Sequence, residues 1–152
     1  MNIIIKRFYY VLLLLLVSCG YEPIHLKKGD VLNSIQSFKV EGDKRINRKI
    51  VQFFNLKNQN QTDGYKLIIN SKKSIVIVSK DKTGNASTYN TTVTALVSLL
   101  NGDKIYKEQS FTSNFTYNNT KNKFELTQYQ QDIESNLVDT IIEEISIFLM
   151  RN

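Results

Sequence analysis

The chain has 152 residues, a length typical of one domain, with a formal net charge of +6, one cysteine and one histidine. A single cysteine excludes a disulfide within the chain, and one cysteine with one histidine leaves too few ligands for a Cys/His zinc site. The positive charge indicates an anionic partner, whose nature depends on the compartment in which the protein works.

The first 18 residues have the layout of a secretory signal. Lys6 and Arg7 form a short positive region, and residues 8–17 form an apolar run. At about 1.5 Å per residue this run would cross only about half of a ~30 Å hydrocarbon core, which is too short for a spanning helix. We therefore predict a signal peptide over residues 1–18 that directs the chain out of the bacterial cytoplasm.

The end of this signal fits the bacterial lipobox, in which a branched apolar residue and two smaller residues precede a cysteine. Leu16, Val17, Ser18 and Cys19 occupy these positions. The alternative is an ordinary signal peptide with a coincidental cysteine, but Cys19 is the only cysteine and stands where the lipobox requires one. Each buried lipid CH₂ contributes about 0.8 kcal/mol, so acylation of Cys19 predicts a durable membrane anchor.

The charge of the exported chain limits its partners. Without Lys6 and Arg7, 18 of the 20 basic residues remain against 14 acidic residues, a net charge of about +4. Export removes nucleic acid as a partner, so the charge favours anionic lipid, glycolipid or an acidic protein surface. The alternative interpretation of any single lysine is a solvated surface charge.

A tether and one domain follow the lipobox. Residues 19–33 contain the only proline, Pro23, and have no periodicity, which predicts a tether from the lipid to the domain. We predict a single domain over residues 34–152. Its first strand covers residues 34–40, where apolar and polar residues alternate.

A helix and three strands come next. Asp43 is a plausible N-cap for a helix that ends near residue 57 and carries its apolar residues on one stripe. The strands are predicted over residues 65–80 with a bend at 71–73, over 86–99, and over 104–117.

The parity of the apolar residues predicts the turn between the last two strands. Both strands carry their apolar side chains at odd-numbered positions, for example Val97 and Phe111. A two-residue loop would pair odd with even positions and bury half of the wrong residues. We therefore predict a three-residue loop, Leu100-Asn101-Gly102, with Gly102 in the left-handed conformation.

The last predicted element is an amphipathic helix of about 28 residues. Asn122 and Glu125 have the spacing of a capping box. One apolar stripe advances by three or four residues along Leu126, Tyr129, Ile133, Leu137, Ile141, Ile145, Phe148 and Leu149. The predicted fold class is therefore α+β, with two helices on one face of a four-stranded, mostly antiparallel sheet.

The residues that usually carry catalysis are scarce. An acylated Cys19 is no nucleophile, and a Ser-His-Asp triad would have to use His25, which lies in the tether. No Gly-rich phosphate loop occurs, and Glu143 and Glu144 are adjacent on a helix and point to different sides. We predict no enzyme activity, no metal and no cofactor.

The sequence resembles the lipopolysaccharide-assembly lipoprotein family LptE of Gram-negative bacteria. Residues 19–24, Cys-Gly-Tyr-Glu-Pro-Ile, are similar to the Cys-Gly-aromatic-x-Pro-aliphatic start of one branch of the family. The element order matches, and residues 45–48 and 124–132 open the two helices where similar segments occur. The last helix differs, with isoleucine, glutamine and glutamate where family members often have alanine and arginine.

The resemblance implies a role without catalysis. Members of the family act as plug and assembly partner inside a large outer-membrane β-barrel, LptD, and help to pass lipopolysaccharide to the outer leaflet. Gly20 after the cysteine is consistent with sorting to the outer membrane, on its periplasmic side. The implied partners are an LptD-like barrel, lipopolysaccharide and, through the lipid, the membrane.

Six lysines are candidates for contact with the phosphates of this glycolipid. We predict that they lie on the sheet face without helices and at its strand ends, beside several threonines. They are Lys66, Lys72, Lys73, Lys80, Lys82 and Lys104. Lysine is a suitable point-charge partner for phosphate, whereas the alternative is a solvated edge where lysines discourage aggregation between sheets.

A second function class remains open. A lipid-anchored accessory subunit of another envelope machine, such as a secretion pilotin or a barrel-assembly lipoprotein, would have the same export signal and the same lack of catalytic groups. An exported hydrolase is a distant third.

Overall fold

The computed structural model describes residues 30–58 and 64–150. In chain order the elements are α1 (Asp30–Asn33), β1 (Ile35–Gly42), α2 (Lys44–Phe54), β2 (Tyr65–Lys80), β3 (Ala86–Asn101), β4 (Lys104–Asn118) and α3 (Lys123–Met150). The predicted signal peptide, the predicted lipid-attachment site Cys19 and the predicted tether up to residue 29 lie outside the described residues.

The four strands form one mixed sheet in the order β1-β2-β3-β4. β1 runs parallel to β2, and the other two neighbouring pairs are antiparallel. Parallel neighbours need a crossover, and α2 provides it. Both α2 and α3 cover the same face of the sheet, so the predicted α+β fold is confirmed.

The core lies between this face and the two helices. Because side chains alternate along a strand, the odd-numbered residues of β2 and β3 point to the helices. The residues with 0% exposure are Ile50, Leu67, Ile69, Val93, Ala95, Val97, Leu99, Ile141, Ile145 and Leu149. The predicted apolar stripe of α3 is therefore a core face from Ile133 to Leu149.

A tight junction joins β1 to α2. Gly42 has φ +90°, and a Cβ at this position would lie 1.9 Å from the carbonyl oxygen of Ser71 on β2. Asp43 N–H donates to that same carbonyl at 3.0 Å. Asp43 Oδ1 accepts from the backbone N–H groups of Arg45 and Ile46 at 2.9 and 3.3 Å. Asp43 is thus the N-cap of α2, as predicted.

A buried polar pair secures the same junction. Asn47 is 5% exposed, and its amide donates to the carbonyl oxygen of Glu41 at 2.8 Å. The hydroxyl of Ser71 donates to Asn47 Oδ1 at 2.8 Å. These bonds satisfy the buried groups and tie the first turn of α2 to both parallel strands.

The N-terminus of α3 is capped by the predicted pair. Asn122 Oδ1 accepts from the backbone N–H groups of Phe124 and Glu125 at 3.0 and 3.4 Å. The Asn122 amide donates to Glu125 Oε1 at 2.8 Å. In the usual capping box the Glu side chain accepts from the backbone N–H of the N-cap residue, whereas here it accepts from the side-chain amide of Asn122.

The β3–β4 turn differs from the prediction. The loop has two residues, Gly102 and Asp103, rather than three, although Gly102 is left-handed with φ +58° as predicted. Beyond the loop Tyr106 is an extra residue, because Leu99 pairs with Lys107 and the register shifts there. This β-bulge restores the pairing of odd with odd positions that the core requires.

The bulge also moves one predicted core residue. Ile105 was expected on the apolar face, but it precedes the bulge and pairs with Leu100. Its side chain is 61% exposed. The parity of the hairpin was predicted correctly, whereas its loop length and the position of Ile105 were not.

Three predicted boundaries also change. α1 lies inside the segment predicted as tether, and its Val31 and Leu32 pack against the core, so the packed domain begins before residue 34. α2 ends at Phe54, because Asn55 is left-handed with φ 50° and closes the helix. β2 runs without interruption through residues 71–73, where a bend was predicted.

Candidate functional site

The sheet face without helices is the candidate site. We call it the open face and define it by the even-numbered side chains of β2 and β3 from Lys66 onward and of β4 from Glu108 to Thr116, beyond the bulge. Cross-strand pairing aligns these side chains in rows. Three central rows are Lys72–Thr94–Thr112, Ser74–Thr92–Asn114 and Val76–Asn90–Thr116.

Hydroxyl and amide groups fill the middle of the open face and bond to one another. Asn90 Nδ2 donates to Thr116 Oγ1 at 2.9 Å, and Thr92 Oγ1 donates to Asn90 Oδ1 at 2.9 Å. The hydroxyls of Thr94 and Thr112 lie 3.3 Å apart. This arrangement offers a hydrogen-bonding surface with a lysine, Lys72, at one end of a threonine row.

The carboxylates on this side of the sheet are already engaged. Glu41 on β1 lies 2.7 Å from Lys39 Nζ. The hydrogen bond from Lys39 and, after it, the positive charge of Lys39 lower the pKa of Glu41. The hydrogen bond to Glu41 and, after it, the negative charge of Glu41 raise the pKa of Lys39. Glu108 accepts a hydrogen bond from the hydroxyl of Ser98. This bond leaves the negative charge of Glu108 in place, but the exposed Lys66 and Lys72 outnumber it, so the open face has a positive excess.

Five of the six candidate lysines are exposed, and none of the five forms an ion pair with another described residue. Lys66 and Lys104 lie near the β3–β4 hairpin, Lys80 and Lys82 lie at the opposite end, and Lys72 lies between them. At about 3.3 Å per residue, Lys72 is about 20 Å from Lys66 and about 26 Å from Lys80. The lysines form a dispersed basic surface and no single anion pocket.

Lys73 lies on the other face of the sheet, which corrects its predicted position. It forms an ion pair with Glu134 of α3, and the two side chains are only 26% and 10% exposed. Alternation from Leu67 through Ile69 and Ser71 places Lys73 toward the helices. The bend predicted from the sequence at residues 71–73 interrupted the alternation that would have placed Lys73 on the helix side.

Sequence reasoning also missed Lys107. Its Nζ donates to the carbonyl oxygen of Phe148 at 2.7 Å and lies 4.8 Å from the centre of the Phe148 ring. Burial lowers the pKa of Lys107. A cation in this position complements the negative end of α3, so we assign Lys107 a structural role.

Grooves at the sheet ends are shallow and polar. One, of about 960 Å³, lies between the β2–β3 turn and the β4–α3 loop and is lined in part by Asn85, Asn119, Lys121 and Lys123. Within residues 30–58 and 64–150, no three Asp, Glu, His or Cys side chains gather as a metal site would require. The helices in these two ranges are each too short or too polar to cross a membrane.

Fold and face together define a one-sided α+β sandwich whose uncovered sheet face is polar and basic. Solved structures of similar fold include a minor lipoprotein from Acinetobacter baumannii, with a TM-score of 0.58 and 11% identity over 76% of this chain and 90% of that chain. A protein of Caulobacter crescentus described as a lipoprotein has a TM-score of 0.56 and 16% identity over 80% of this chain and 90% of that one.

A third similar structure is the uncharacterized lipoprotein B from Nitrosomonas europaea, with a TM-score of 0.51 and 10% identity over 74% of this chain and 80% of that chain. No family model matches the sequence, and no curated protein does. At this level of identity the similarities show the fold, which this chain shares with proteins described as lipoproteins.

Proposed function

We propose that the protein is an outer-membrane lipoprotein, anchored through Cys19 on the periplasmic side. In this proposal it is the plug and assembly partner of a large β-barrel translocon that delivers lipopolysaccharide to the outer leaflet, and it catalyses no reaction. The observation that carries the proposal is the one-sided sandwich. Both helices cover one face of the sheet, and the open face remains available to a partner.

Two further observations support the lipid anchor. Leu16 to Cys19 fit the lipobox, and the proteins of similar fold from Acinetobacter baumannii and Nitrosomonas europaea are lipoproteins by description. The descriptions of those proteins name no transport role. Lipopolysaccharide delivery therefore rests on the family resemblance and on the chemistry of the open face.

The open face suits a ligand that combines sugars with phosphates. The rows around Thr92 and Thr94 offer hydroxyl and amide groups to sugar hydroxyls, and Lys72 adds a positive charge at the edge of these rows. Lysine ammonium groups attract phosphate as point charges. The separation of the lysines along the sheet matches an extended glycolipid better than a small anion.

Charge reversal on the open face tests glycolipid binding. In the full lipidated protein, Lys72→Glu and Lys80→Glu are each expected to weaken binding of purified lipopolysaccharide by about twofold to fivefold, as expected for one exposed charge contact. Wild-type binding should also fall as salt screens the lysines. Titration of fluorescent lipopolysaccharide at two salt concentrations measures both effects.

Lys44→Glu is the matched control for this experiment. Lys44 is exposed at the start of α2, in the helix layer, so its reversal changes net charge equally without altering the open face. Binding that weakens equally in all three variants would show a general charge effect and contradict a site on the open face.

The accessory-subunit class remains the alternative. Ile75, Val76 and Ile77 of β2 lie beyond its pairing with β1 and are exposed, so they offer an apolar surface to a partner protein. A protein that binds no lipopolysaccharide but still binds a component of a secretion or barrel-assembly machine would favour this alternative. The glycolipid titration therefore distinguishes the two functions, because only the delivery function predicts binding of lipopolysaccharide.

A further inference from the structure

Part of one edge of β2 has no neighbouring strand among residues 30–58 and 64–150. Pairing with β1 ends where Gly42 meets Ser71, although β2 continues to Lys80. No other described strand lies on that side, because β3 occupies the opposite edge. Residues 72–77 pair regularly with β3, and the register shifts only beyond Ile77. We call residues 72–77 the free edge.

The free edge is apolar at its centre. Ile75, Val76 and Ile77 are 43%, 51% and 51% exposed, and Val78, just beyond it, is 57% exposed. Three consecutive β-branched side chains are therefore in contact with solvent along one strand. An edge of this kind is a template for pairing with another strand.

The backbone of the free edge presents a regular set of hydrogen-bonding groups. The carbonyl oxygen of Ser71 accepts a bond from Asp43 on the side of β1. N–H and C=O directions alternate along a strand, so Lys73, Ile75 and Ile77 point their backbone groups to the same side. These three residues offer three donors and three acceptors to an added strand.

The other edge of the sheet is protected in the usual ways. β4 carries polar and charged residues along most of its length, and Tyr106 forms a bulge near its start. Charged side chains and bulges discourage pairing between edges. The free edge of β2 lacks such side chains between Ser74 and Val78, which sets it apart from β4.

We propose that the free edge accepts an extended segment of a partner protein as a fifth strand, and that this segment has an apolar centre with acidic residues at its ends. Lys72 and Lys80 flank the apolar centre, and neither forms an ion pair with a described residue. Acidic ends would meet these lysines, whereas the apolar centre would cover Ile75 and Ile77. This binding mode goes beyond glycolipid delivery and does not depend on it.

Charge argues against a second copy of the chain as the occupant. Antiparallel pairing of two free edges centred on Val76 would place Lys72 of each copy opposite Lys80 of the other. Like charges directly opposite each other in a sheet are destabilising. A segment with acidic ends from a different protein would pair with the same edge without this repulsion.

A synthetic peptide tests strand addition directly. The probe has four valines alternating with three threonines and an aspartate at each end, so its aspartates are eight residues apart, like Lys72 and Lys80. The full lipidated protein is labelled with ¹⁵N in detergent micelles. Binding should slow hydrogen exchange at the amides of Lys73, Ile75 and Ile77. The amides of Ser74 and Val76, which point to β3, should change little. A peptide with lysine ends should bind at least tenfold more weakly.

Two variants separate backbone pairing from side-chain contact. Ile75→Pro removes an outward N–H without breaking the β2–β3 ladder, so the fold should persist and peptide binding should fall at least tenfold. Ile75→Thr keeps the N–H and should lower binding by about threefold. Circular dichroism verifies that both variants are folded.

Three results would overturn the proposal. One is a wild-type protein that does not bind the acidic peptide, and another is an Ile75→Pro variant that is folded and binds as well as the wild type. The third is self-association in sedimentation equilibrium that Ile75→Pro abolishes, because the occupant would then be a second copy. None of these results depends on lipopolysaccharide binding, so failure here leaves the proposed function standing.

Discussion

Gly42 lies where β1 ends and α2 begins, and its backbone approaches β2 closely. A Cβ there would overlap the carbonyl oxygen of Ser71, and the positive φ of +90° disfavours any residue with a side chain. Asn47 and Ser71 hold the same junction through buried hydrogen bonds. The parallel pairing of β1 therefore depends on a few small or polar residues.

Gly42→Ala should destabilise the domain by about 3 kcal/mol or more, because it combines a strained backbone with a steric overlap. Gly102→Ala is the matched control. Gly102 also has positive φ, but a Cβ there meets nothing within 4 Å. It should cost only about 1 kcal/mol. Urea unfolding measures both changes, and equal costs would contradict the close approach at Gly42.

The ion pair between Lys73 and Glu134 gives Lys73 a structural role that the sequence did not reveal. Glu134 lies on α3 beneath the sheet and is 8% exposed. Its burial is tolerated because Lys73 supplies a charged partner. Lys73 therefore holds α3 against β2 on the helix side of the sheet, away from the open face.

At the scale of elements, α3 supplies a large share of the core. Ile141 has 0% exposure and packs between the sheet and the helix layer. Ile141→Asp should bury an unpaired charge, cost several kcal/mol and unfold the domain. Glu143→Gln, two residues along on the exposed side of α3, is the control and should leave thermal melting unchanged. A well-folded Ile141→Asp variant would show that the stripe is not core.

Local patterns predicted most of the elements and the core. Alternation identified the buried positions of β3, and the i, i+3, i+4 stripe identified α3, because these periods follow from backbone geometry. The caps at Asp43 and Asn122 were also predictable, since they need only a short polar side chain before a helix. The fold class was therefore accessible from the sequence alone.

Features that depend on pairing between distant segments were less accessible. The bulge at Tyr106 and the early end of the β1–β2 pairing depend on how strands align in space, and composition does not reveal this alignment. The free edge of β2 follows from that early end. The uncovered sheet face followed from placing both helices on one side, and the position predicted for Lys73 was wrong. The wide spacing of the lysines became clear only from the register.

At the scale of the whole molecule, the proposal joins a lipid anchor to a one-sided domain. Cys19→Ser should leave an unprocessed precursor without lipid, because a hydroxyl does not replace the thiol that carries the diacylglycerol. Metabolic labelling with a radioactive fatty acid, followed by isolation of the protein, measures the modification. Label in the Cys19→Ser variant would contradict the lipobox assignment.

The central claim is that the protein is needed to assemble a barrel that delivers lipopolysaccharide. The most direct measurement is depletion of the protein in its own bacterium, followed by assays of the heat-stable folded form of the barrel and of surface lipopolysaccharide. Both should fall, and re-expression of the wild-type protein should restore them. Depleted cells with normal surface lipopolysaccharide and a correctly folded barrel would contradict the claim.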